Sequence, residues 1–82
     1  MINIIERREN FPVDGEAYIV GEVAGKYFFA WGSLFPFTDE LPAEDVTNGE
    51  SGIKWYETKK EALQEYLDAV DAIESTRKEG TQ

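Results

Sequence analysis

Cysteine and histidine are both missing from these 82 residues. Without cysteine there is no disulfide or thiolate metal site to supplement a small core, and nothing suggests an oxidising compartment, so cytoplasmic residence is the expectation. Without histidine the commonest general base, the Ser-His-Asp and Cys-His arrangements and the commonest zinc ligand all drop out. Basic residues are scarce as well: eight Lys and Arg stand against 17 Asp and Glu, a formal charge of -9. Nucleic acid and anionic membranes repel such a chain, so direct binding to either is not expected. No apolar run reaches the roughly 20 residues that span a bilayer, and MINIIERREN lacks the basic, apolar and cleavable pattern of a leader. The seven glycines form neither GxGxxG nor GxxxxGK(S/T), which leaves no phosphate cradle.

Carboxylates are the remaining candidates for catalysis. Asp39, Glu40, Glu44 and Asp45 lie close together in sequence. Their spacing lacks the alternating ligands and central glycine that wrap a calcium ion, so no catalytic residue, metal or cofactor is expected. A small carboxylate enzyme would need convergent acids in a pocket with a divalent cation.

Apolar material is plentiful. Hydrophobic residues make up 41% and aromatics 13% of the chain, too much for an acidic disordered segment and enough for one small core. The expectation is a single domain over residues 1–75 with a polar tail over 76–82.

Ile2 to Arg7 is rich in β-branched residues and reads as a short strand, followed by a turn at Pro12 and Asp14-Gly15. EAYIVGEVAGKYFFAWG then reads as a hairpin around Ala24-Gly25. A two-residue turn would force Ala24 to positive φ, so a three-residue loop with Gly25 in the left-handed position is expected. That register sets Glu22 opposite Lys26, Ile19 opposite Phe29 and Ala17 opposite Trp31. In either register Tyr27, Phe29 and Trp31 share one face, while Phe28 and Ala30 take the other.

From Ser33 to Gly52 the pattern fails: Pro36 and Pro42 interrupt it, and five acids occur without a base. A long loop is expected there, with a helical turn near Pro42 to Val46 and turns at Asn48-Gly49 and Ser51-Gly52. IKWYE resumes a strand, with Ile53 and Trp55 on one side and Lys54 and Tyr56 on the other. Thr58 and Glu61 form a capping box in which the hydroxyl takes the amide of residue 61 and the carboxylate reaches back to the amide of Thr58. Leu63, Tyr66, Leu67, Val70 and Ile73 follow as one buried helical stripe, with Ala62 and Ala69 at its edge. The fold class is therefore α+β, an antiparallel sheet of three to four strands packed on one C-terminal helix. The sheet's second face then needs the 33–52 loop, a second copy or a partner to cover it.

Two features point to a partner. The outer helix row Glu61, Glu65, Asp68 and Asp71, together with Asp39, Glu40, Glu44 and Asp45, presents carboxylates in a manner suited to mimicking a phosphate backbone. Leu34, Phe35 and Phe37 lie where the hairpin gives way to the acidic loop, and they can anchor an interface that the acids surround. Solvation alone accounts for many charged helix faces, and the phenylalanines can instead close the core. The expected function is a non-enzymatic acidic inhibitor or decoy that engages a basic, nucleic-acid-binding protein. In size and charge alone this is the profile of small phage or mobile-element inhibitors and of toxin immunity proteins. The alternative is a structural or regulatory subunit that homodimerises through the exposed sheet face.

Overall fold

The computed structural model describes residues 2–33, 41–42, 44–48 and 51–80. Among them are five strands and one helix: β1 (Asn3–Glu9), β2 (Ala17–Val23), β3 (Lys26–Gly32), β4 (Val46–Asn48), β5 (Ser51–Tyr56) and α1 (Lys59–Gly80). The strands form one antiparallel sheet in the order β1-β2-β3-β5-β4, and α1 packs against it. The chain is thus α+β, with five strands where three to four are expected. The added strand is β4. Asp45 accepts a hydrogen bond from the Trp55 backbone N–H at 2.8 Å, which draws 46–48 along the edge of β5 instead of into a helical turn. For the same reason Ser51 and Gly52 belong to β5 and not to a turn, with Asn48 paired to Ser51.

The β2–β3 register also differs from expectation by one residue. Val23 pairs with Lys26, Val20 with Phe29 and Ile19 with Ala30, so the hairpin closes on the two residues Ala24 and Gly25. Both are left-handed, at φ 52° and 81°. The conformational cost at Ala24 is accepted because this register puts Tyr18 and Val20, rather than Ala17 and Ile19, on the face that meets the helix. There Tyr18 meets Phe29 edge-on at 5.4 Å and Phe11 at 5.1 Å. Packing of large rings outweighs one residue of backbone strain, since such pairs contribute about 0.5–1.5 kcal/mol each beyond their buried area.

Phe11, Tyr18, Val20 and Phe29 form the core on this side with Ala62, Tyr66 and Val70 of α1. The helical stripe therefore runs through 62, 66 and 70, flanked by half-buried Leu63, Ala69 and Ile73. Leu67, expected inside it, is 55% exposed. At 100° per residue it lies well round the helix from the Ala62–Tyr66–Val70 line. Helix entry follows the capping expectation in part. The Glu61 backbone N–H donates to Thr58 Oγ1 at 3.2 Å, but the hydroxyl then donates to Glu61 Oε1 at 2.9 Å, so the carboxylate meets the side chain instead of the Thr58 amide. The helix continues through residues 76–80, past the point where the polar tail is expected to begin.

The reverse face holds its own buried group: Ala17, Ile19, Phe28, Ala30 and Ile53, with Ile2, Val23, Leu41 and Trp55 against it. Phe28 meets Trp55 at 5.4 Å, and the Trp55 indole N–H donates to the Pro42 carbonyl at 3.1 Å. All five central residues are at most 3% exposed within the single chain.

Candidate functional site

Strand alternation sends Phe29 and Trp31 of β3, Tyr18 of β2, and Lys54 and Tyr56 of β5 to the helix side of the sheet. There they line a cleft of about 150 Å³ with Glu65 and Ala69 of α1. Ala69, small and half-buried, meets the rings here together with Glu65. Trp31 is half-buried and lies against Phe29, their ring centres 5.3 Å apart. Beyond Tyr18 and Trp31 a second cleft of about 470 Å³ opens against Pro12, Val13 and Glu16 of the β1–β2 connection. The two clefts are separate but share Tyr18 and Trp31 in their walls.

Its electrostatics are set by acids. Burial raises the Tyr56 hydroxyl above its ordinary pKa of 10.0, and Glu65, Asp45 and Glu61 raise it further, in that order. Tyr18 is raised by burial and then by Glu16. Three of the acids singled out in the sequence, from β4's entry and the first turns of α1, therefore act on one tyrosine at the cleft. Asp45 is also structural, through its bond to the Trp55 amide.

The other candidates are distributed as follows. Glu44 is exposed just before β4, and Asp68 and Asp71 are exposed further along α1. Gln64 Nε2 donates to Asp68 Oδ1 at 2.9 Å. Leu34, Phe35, Phe37, Asp39 and Glu40 lie outside the described residues. Tyr18, Trp31 and Tyr56 were not among the sequence candidates. The available signal was the placing of Trp31 and Phe29 on one face and of Tyr56 and Lys54 on one side of β5; nothing local joins those two rows.

Among the described residues no group of three or more potential metal ligands comes together, and no buried side-chain polar atom lacks a hydrogen-bond partner. No helix among them is long and apolar enough to cross a membrane. Chemically the cleft offers π faces, phenolic hydroxyls and carboxylates, a combination suited to holding a cation. No protein-family model matches the chain, and no curated protein and no solved structure matches it.

Proposed function

We propose that this protein is a non-enzymatic acidic inhibitor or decoy that occupies the nucleic-acid-binding surface of a basic protein partner. The observation that carries the reading is the run of exposed carboxylates on α1, Glu61, Glu65, Asp68 and Asp71, in a molecule of net charge -9. Ten residues of helix separate the first from the last, about 15 Å at 1.5 Å per residue, so the four carboxylates fall roughly 5 Å apart. Duplex DNA carries one phosphate per about 3.4 Å of axis on each strand, a comparable density of negative charge. Only two ion pairs occur among the described residues, Arg7 with Glu9 and Arg8 with Glu74, and neither involves the row. The row's charge is thus available to steer a basic surface, at rates that fall as salt screens it.

Immobilised protein should capture basic nucleic-acid-binding proteins from lysate at about 50 mM salt and release them at several hundred millimolar, with added duplex DNA competing for the same partners. Reversing Glu65 and Asp68 to lysine should abolish capture. Capture that survives high salt and charge reversal, or partners that are not basic, would overturn the reading.

A further inference from the structure

The acidic row explains attraction but not what seats a partner, and the aromatic cleft beside it supplies a socket. At about 150 Å³ it is the size of a cavity that holds one benzene-sized group, and below the 300–1,000 Å³ typical of cofactor and drug sites. One side chain fits; a nucleotide does not. The walls are aromatic (Tyr18, Phe29, Trp31, Tyr56), which favours a flat group or a cation over their faces. The surrounding charge selects between these: Glu65 lines the cleft, Glu61 and Asp45 act on Tyr56, and Glu16 borders the adjoining opening, against one cation among the described lining residues, Lys54.

We infer that this cleft receives an arginine side chain of the basic partner, its guanidinium stacked on Trp31 and Tyr56 and paired with Glu65. Guanidinium is planar, weakly hydrated and able to stack while forking onto a carboxylate, whereas ammonium is compact and strongly hydrated, so arginine is preferred over lysine. Lys54 opposes the incoming charge and limits the affinity. The inference rests on the proposed binding of a basic partner, and it adds the residue recognised and the place where it sits.

Blocked hexa-arginine and hexa-lysine peptides are the probes, titrated into the intact protein at low salt while the two indole N–H signals are followed by NMR. Trp55 is an internal control, since its indole is hydrogen-bonded to Pro42 on the reverse face. The Trp31 signal should move on hexa-arginine addition and that of Trp55 should not. Hexa-arginine should bind about two- to fivefold more tightly than hexa-lysine, the range of one exposed cation–π contact. Lys54→Met should tighten hexa-arginine binding and Tyr56→Leu weaken it; because Lys54 is exposed, the first variant remains informative even if the second fails to fold. Equal binding of both peptides, with shifts at Asp68 and Asp71 and none at Trp31, would overturn the socket and leave the acidic decoy standing. A shift at Trp31 in a protein that captures no basic partner would support the socket and overturn the decoy. No shift with either peptide would overturn both.

Discussion

Ala24 is the residue at which local and tertiary preferences meet most directly. Its φ of 52° belongs to the left-handed region, which a Cβ makes unfavourable by roughly 1–2 kcal/mol, and the following Gly25 at 81° completes a tight two-residue turn. Asparagine tolerates that conformation better than alanine, and Asn-Gly is the preferred pair for such a turn. Ala24→Asn should therefore stabilise the protein by about 0.5–1 kcal/mol without disturbing the β2–β3 register. Urea unfolding of the two proteins measures this. An unchanged or lowered midpoint would mean that the turn is not of this type and that the register has been misassigned.

At the scale of elements, the helix shows how far periodicity can be trusted. Tyr66 is 7% exposed and meets Phe29 edge-on at 6.1 Å, whereas Leu67 points to solvent. Tyr66→Ala should cost about 3 kcal/mol or more, in the range of large aromatic truncations. Leu67→Lys should stay within about 0.5 kcal/mol, as exposed substitutions do. Thermal melts of both variants decide it, and a comparable loss from Leu67→Lys would show that the helix is rotated about its axis. Legibility follows the same division. The capping pair at Thr58 and Glu61, the split of β3 into a Tyr27–Phe29–Trp31 face and a Phe28–Ala30 face, and the alternation in β5 could all be read, because each depends on neighbours within one element. The three residues of β4 carry no alternation of their own; they are strand only because β5 offers an edge and Asp45 holds the Trp55 amide. Turn chemistry alone favours the wrong hairpin register, because the Phe11–Tyr18–Phe29 packing that settles it comes from outside the turn. The cleft, drawn from β2, β3, β5 and α1 together, has no local signature.

For the whole molecule, the excess of acids is felt by its tyrosines. Tyr18, Tyr56 and Tyr66 are each raised first by burial and then by carboxylates: Glu16 for Tyr18, Glu65 with Asp45 and Glu61 for Tyr56, and Glu6 and Glu74 for Tyr66, where Arg8 acts in the opposite sense. A phenol whose pKa is higher folded than unfolded keeps its proton in the native state after the unfolded chain has begun to lose it. Its contribution to stability is therefore complete below the ordinary value of 10.0 and is lost as pH rises through the higher folded value. Stability should decline as pH rises above 10, and more steeply at low salt than at 0.5 M, because salt screens the carboxylates but leaves the burial component in place. The comparison that isolates one phenol is Tyr56→Phe. That variant should lose less stability than the parent from pH 9 to pH 11 in parallel urea melts. Since Glu65, Asp45 and Glu61 contribute to the shift, Glu65→Gln should bring the Tyr56 transition, followed by ultraviolet absorbance, to lower pH. If Tyr56→Phe follows the parent's decline and Glu65→Gln leaves the tyrosine absorbance curve unmoved, then the acids of β4's entry and of α1 do not converge on Tyr56, and the cleft loses the charge that would make it selective for a cation.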